Sequence, residues 1–147
     1  MIKKIGFIGL SHLGFVYSLA VAKIGYKVNV FDFDSNLIAD FNDNKIFFKE
    51  PNSKKLLLEY KNYIKYSQNF NDINKCDLVF FSYDTPTNDK SVSDFKFIKT
   101  RIDKTISKLT KIIPFIILSQ IVPGFIEKIN YPKNKLFYQV ETLVFGK

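Results

Sequence analysis

The chain has 147 residues, 46% of them hydrophobic and 16% aromatic, and a formal net charge of +8. That length supports one domain with an apolar core and excludes two full-sized ones, while a lone cysteine, Cys76, excludes an internal disulfide framework and fits a reducing compartment. The positive charge does not mark a nucleic-acid partner, because lysines are scattered in ones and twos from Lys3 to Lys147, Arg101 is the only arginine, and no basic run is laced with aromatics.

Residues Lys4 to Leu10 form a short apolar run ended by glycine, a strand signature, and His12 to Ile24 places Leu13, Val16, Tyr17, Ala20 and Ile24 at helical spacing. Gly25 stops that helix as a C-cap residue does, and Lys27 to Phe31 reads as a second strand ending at Asp32. A short helix from Ser35 to Phe41 gives way to the polar breaker Asn42-Asp43-Asn44, and Glu50-Pro51-Asn52 opens a helix through Tyr60. Ile64 to Tyr66 is a brief strand, Asn71 to Asn74 a single helical turn, and Asp77 to Ser82 a strand whose Leu-Val-Phe-Phe run fits burial on both faces. Beyond the loop from Tyr83 to Asp89, Ser93 or Asp94 caps a helix to about Leu109, with Phe95, Ile98, Ile102 and Ile106 on its buried stripe. Phe115 to Ser119 is another covered strand, Pro123-Gly124 starts a short helix, and Leu136 to Val140 is the last strand. Strands alternating with helices predict one α/β domain over residues 1–147: a Rossmann-type, doubly wound, mainly parallel sheet with helices on both faces. No apolar stretch approaches the length of a membrane span and no signal-peptide pattern opens the chain, so the expected location is cytoplasmic, with no membrane partner.

In such a sheet, ligand groups gather at the carboxyl ends of the strands. A pyrophosphate seated on a helix N-terminus needs a tight turn, close backbone approach and close packing of helix on strand. In Gly9-Leu10-Ser11-His12-Leu13-Gly14, Gly9 and Gly14 meet the first and third needs, while Ser11 stands where the usual Gly-x-Gly-x-x-Gly pattern has its middle glycine. Asp32, ending the second strand near the expected spacing of roughly 20 residues, suits the hydroxyls of an adenosine ribose and would repel a 2′-phosphate, which favours NAD over NADP. Two readings stand for His12: a ring against the phosphates, or one facing solvent. As the only histidine, it cannot assemble a metal site or a His-centred triad. Cys76 precedes a buried strand, where a small apolar residue is expected.

Six segments in this order complete the picture: Ile8 to Gly14, Phe31-Asp32, Glu50-Pro51, Tyr83-Asp84-Thr85-Pro86-Thr87, Ser119-Gln120-Ile121-Val122-Pro123-Gly124 and Val140-Glu141-Thr142-Leu143. Together they resemble the N-terminal NAD-binding domain of the UDP-glucose/GDP-mannose dehydrogenase family, across essentially the whole chain. The resemblance implies an enzyme that oxidises a sugar C6 alcohol to a carboxylate in two NAD-linked steps, through a thiohemiacetal and a thioester on a cysteine. It further implies that Tyr83, Asp84, Thr85, Pro86 and Thr87 line the nicotinamide half of the cofactor, with Ser119, Gln120 and Ile121 beside it. Glu141 matches the glutamate that positions or activates the hydrolytic water; its alternative is a surface or capping glutamate.

The chain departs from the family pattern at Ser11, at Gln120 in place of a threonine, at Leu37 in place of a basic residue near the ribose, and at Phe145 in place of a second glutamate. The family's central helix with its catalytic lysine, its Gly-x-Cys segment and its sugar-nucleotide domain have no counterpart among these residues, and Cys76 does not match the cysteine motif. The expectation is a domain that binds NAD but does not complete turnover alone, acting on a nucleotide sugar only with a missing half supplied, as a homo-oligomer or with a complementing chain. The alternative is a module that keeps the fold without binding a dinucleotide.

Overall fold

The structure, a computed structural model, describes residues 1–43, 45, 48 and 50–140. The chain runs β1 (Lys4–Ile8), α1 (His12–Lys23), β2 (Lys27–Phe31), α2 (Ser35–Asn42), α3 (Ser53–Tyr60), β3 (Ile64–Ser67), α4 (Asn71–Asn74), β4 (Leu78–Phe81), α5 (Phe95–Ile106), β5 (Phe115–Ile117) and β6 (Leu136–Tyr138), with single 3₁₀ turns at Ile126–Lys128 and Lys133–Lys135. The strands form one six-stranded sheet in the order β3-β2-β1-β4-β5-β6, every pair parallel. This is the Rossmann arrangement, with its topological switch between β1 and β4.

The alternation of side chains across the sheet divides the core into two layers. On one face Phe7, Val28, Val30 and Ile64 pack under α1, α2 and α3 through Phe15, Leu19, Ile38, Phe41 and Leu57. On the other, Ile8, Phe31, Val79, Phe81, Phe115 and Ile117 pack with Ile73, Ile98 and Ile102 from α4 and α5. The uninterrupted apolar runs of β4 and β5 are legible as strands for this reason: both of their faces are covered. Asn29 is a polar exception, buried in β2, where its amide donates to the Asp72 carbonyl at 2.7 Å and so fastens α4 to the sheet.

Caps set several boundaries. Of the two candidate caps for α5, Asp94 serves, accepting from the Phe97 amide at 2.9 Å, and the helix ends at Ile106, one turn short of Leu109. The helix expected at Pro123-Gly124 is a turn leading into the 3₁₀ segment at Ile126–Lys128. Strands β4, β5 and β6 are each shorter than the spans expected for them, Asp77 to Ser82, Phe115 to Ser119 and Leu136 to Val140. The sheet register carries Ser82 and Ser119 past the last paired residues into the loops above the carboxyl edge.

Candidate functional site

Above the switch point, the turn after β1 is built on two close approaches. Gly9 has φ +106°, and a Cβ there would lie 2.7 Å from the Tyr83 amide nitrogen and 2.8 Å from Tyr83 Cδ2. Gly14, in the first turn of α1, sits so near the sheet that a Cβ would meet the Gly9 carbonyl oxygen at 2.0 Å and Ser82 Oγ at 2.7 Å. These glycines therefore bring the N-terminus of α1 directly over the end of β1, with its positive dipole end aimed outward.

Ser11 is the N-cap of α1. Its hydroxyl donates to the Ser82 carbonyl at 2.6 Å and accepts from the Gly14 amide at 3.4 Å. The side chain in the middle-glycine position is thus turned inward against the end of β4. The amides of Ser11 and Leu13 have no hydrogen-bond partner among the described residues, as expected of a helix first turn open to an anionic ligand. The His12 ring does not face solvent: Nε2 pairs with Glu50 Oε1 at 2.5 Å, and the ring meets Phe48 edge-on, tying the entry to α3 to the first turn of α1. Leu13 is buried in the core beneath the turn.

Ser82, which sequence reasoning did not single out, organises the carboxyl edge. Its Oγ donates to the Gly9 carbonyl at 2.8 Å while its carbonyl receives Ser11. Ser119 repeats the device one strand on, its buried Oγ donating to the Tyr83 carbonyl at 2.5 Å, and Thr85 Oγ1 donates to the Gln120 carbonyl at 2.6 Å. Hydroxyls thus lace the loops after β1, β4 and β5 into one rim. Asp84, Pro86, Thr87 and the Gln120 side chain are exposed on it, and Thr87 is bridged to Ser93. A serine after each strand was the available signal, but serines are common in loops and the spacing alone does not reveal their partners.

Asp32, only 6% exposed, closes β2 beside this rim. Its Oδ2 accepts from the Leu10 amide at 2.7 Å and its Oδ1 from the Asp34 amide at 2.9 Å and the Tyr83 hydroxyl at 3.0 Å. Tyr83 therefore points from the end of β4 toward Asp32 at the end of β2. Burial, followed by the Asp32 charge, pushes its phenol well above the ordinary range, so the proton stays on the oxygen that faces the carboxylate. Arg101 stands over the rings of Phe33, Phe97 and Tyr83 at 5.2, 5.2 and 5.6 Å. Next to Asp32 an open cleft of about 680 Å³ is lined by Phe33, Gln68, Phe70, Lys104 and Lys108 among others. Leu37 is partly buried against the core and offers this cleft no charge.

Glu141 and Phe145 lie outside the described residues. Among the described residues no three His, Cys, Asp or Glu side chains gather to hold a metal ion, and no helix is long and apolar enough to cross a membrane. Cys76 is 0% exposed, its Sγ donating to the Asp72 carbonyl at 3.3 Å, and burial pushes its thiol up to about 11.

A parallel sheet of this order, with a glycine turn over β1 and a carboxylate closing β2, defines a dinucleotide-binding domain of the dehydrogenase type. The sequence model of the UDP-glucose/GDP-mannose dehydrogenase family, NAD binding domain, matches residues 3–140, and the chain belongs to that family. NAD is the cofactor this domain takes. Among solved structures, the UDP-D-ManNAc dehydrogenase of Pyrococcus horikoshii is 21% identical, with a TM-score of 0.84 over 98% of this chain and 37% of its own. A UDP-glucose dehydrogenase from Pyrobaculum islandicum is 16% identical (TM-score 0.74; 86% of this chain, 31% of its own). The GDP-mannose dehydrogenase of Pseudomonas aeruginosa, solved as a ternary complex, is 22% identical (TM-score 0.72; 84% and 30%). The chain thus spans about a third of the length of each of these relatives. Among curated protein sequences nothing matches it.

Proposed function

We propose that this chain is the cofactor-holding part of a nucleotide-sugar 6-dehydrogenase, with the pyrophosphate of NAD on the turn Gly9–Gly14 and the adenosine ribose at Asp32. The observation that carries the reading is the close approach of Gly14 to Gly9, which leaves α1 pointing its first-turn amides into the same opening that Asp32 faces. The group fits the pyrophosphate half of the site, where the Ser11 side chain is turned inward against the end of β4. In the adenosine half Asp32 supplies the acceptors and the cleft beside Phe33 and Phe70 supplies an apolar surface for the base. Its carboxylate also disfavours a 2′-phosphate. NAD+, when bound, accepts the hydride leaving the sugar alcohol.

The remaining roles follow from the rim. Ser119 and Thr85 fix the loops after β4 and β5, so that Thr87 and Gln120 border the nicotinamide side, and Glu141 takes the water-positioning role of its family counterpart. Cys76 cannot be the nucleophile that the acyl chemistry needs, being buried with a raised thiol pKa. These 147 residues therefore bind cofactor without completing the oxidation, and the nucleotide sugar binds only where further chain or a partner subunit supplies its site. A reduced, buried thiol is in keeping with the cytoplasm. One observation favours the second reading, a module that keeps the fold without binding dinucleotide: the Asp32 carboxylate is already engaged three times over.

Isothermal calorimetry with NAD+ separates the two. Saturable binding is expected in the wild type. Asp32→Asn, which keeps the shape but not the charge, should weaken it about 10- to 100-fold, since hydrogen bonds to a charged acceptor are worth about 1.5–3 kcal/mol. A folded wild type giving no heat at millimolar NAD+ establishes the second reading.

A further inference from the structure

Resting on that reading of the site, we propose that Tyr83 is a built-in competitor for the adenosine ribose: its hydroxyl holds Asp32 in the cofactor-free chain and is displaced when the dinucleotide enters. An ionised carboxylate offers about four lone-pair positions. Three are taken, by the Leu10 amide, the Asp34 amide and the Tyr83 hydroxyl. One position is left, whereas the two neighbouring hydroxyls of a ribose call for two. Of the three occupants, the Leu10 and Asp34 amides belong to the turns that shape the site and cannot leave without unmaking it. Tyr83 is held by a side-chain rotation alone.

Placement agrees with the count. The phenol is 8% exposed, and its ring lies directly over Gly9, where a Cβ would come within 2.9 Å of Cγ. It spans the gap between the glycine turn and Asp32, which a dinucleotide running from one to the other has to cross. The Phe33 amide donates to the phenolic oxygen at 3.3 Å, so the hydroxyl also quenches a backbone donor at the mouth of the adenosine cleft. Arg101 and Phe97 back the ring from α5. They form a wall of side chains rather than of backbone, against which the ring can turn aside.

Two ligand measurements and a denaturation curve test this, on the wild type and on Tyr83→Phe. Removing the hydroxyl should tighten NAD+ binding about tenfold, the worth of one hydrogen bond to a carboxylate after partial compensation by water. The same substitution should lower the denaturation midpoint, because the cofactor-free chain loses that bond. A residue with a merely structural role would lose stability and affinity together, so the opposite signs are the signature. With 2′-deoxy-NAD+, which asks Asp32 for only one acceptor, the gain should fall to about twofold or less. Binding in Tyr83→Phe that is equal to or weaker than in a wild type that binds NAD+ overturns the competitor role and leaves the binding reading intact. Absence of binding in both folded proteins overturns both. Should Tyr83→Phe fail to fold, a crystal structure of the wild type with ADP-ribose decides: the Tyr83 hydroxyl is expected beyond hydrogen-bond distance of Asp32, and its retention beside a bound ribose overturns the proposal.

Discussion

Gly14→Ala puts the packing of the glycine turn to a quantitative test. A Cβ at this position would stand 2.0 Å from the Gly9 carbonyl oxygen, about 1.4 Å short of the 3.4 Å where ordinary contact begins, and 2.7 Å from Ser82 Oγ. The nearest obstacle is backbone, so no rotamer change relieves it and α1 has to lift from the edge of the sheet. Overpacking of this kind costs about 1–3 kcal/mol, and loss of the Ser82–Gly9 hydrogen bond adds about 1 kcal/mol. Against this, replacing a helical glycine by alanine returns about 1 kcal/mol of propensity. The balance is a destabilisation of about 2 kcal/mol, which for a domain of this size lowers the melting temperature by about 4–8 °C. Thermal unfolding followed by far-ultraviolet circular dichroism reads it. Ala20→Gly on the exposed side of the same helix supplies the propensity scale. If Gly14→Ala melts at or above the wild type, the close approach is not what holds α1 to β1, and the reasoning fails.

Two further outcomes follow from the titratable groups. Hydrogen bonds from Lys65, then Ser67, hold Asp72 down at about 2 from an ordinary 3.8. Because its folded pKa is depressed, the stabilisation is fully present above about pH 4 and drains away as pH falls toward 2. With Lys65 and Lys75 reaching in from solvent it amounts to about 1 kcal/mol. Urea titrations across that window should show a flatter stability curve for Asp72→Asn, and parallel curves would refute the assignment. Cys76, buried with its thiol raised to about 11, should resist Ellman's reagent at pH 8 in the native protein and react fully in denaturant. Rapid labelling of the native chain would contradict that burial.

The architecture was readable wherever short-range physics decides it. Apolar runs such as Leu78–Phe81, the Gly25 stop and the Asp94 cap are local signals, and each stands where it was expected to within a residue or two. The ends of elements were less legible. Whether α5 reaches Leu109, or β5 continues through Ser119, depends on which backbone groups find partners in a neighbouring element. Ser11 shows the same limit inside the site. Its type announced a departure from the glycine pattern, but only the position of the Ser82 carbonyl determines that the hydroxyl turns inward.

By itself the sequence determined an alternating α/β chain, a glycine turn before a helix, and an acidic residue closing the second strand, because periodicity, glycine backbone freedom and charge are properties of residues close in the chain. The tertiary structure decided what those residues meet. Tyr83 and Asp32 lie 51 positions apart, as do Ser11 and Ser82 at 71, and His12 and Glu50 at 38. Parallel pairing sets β1 between β2 and β4, which brings the three loops that follow these strands to one edge. Side chains that no local pattern connects are thereby placed within hydrogen-bond reach.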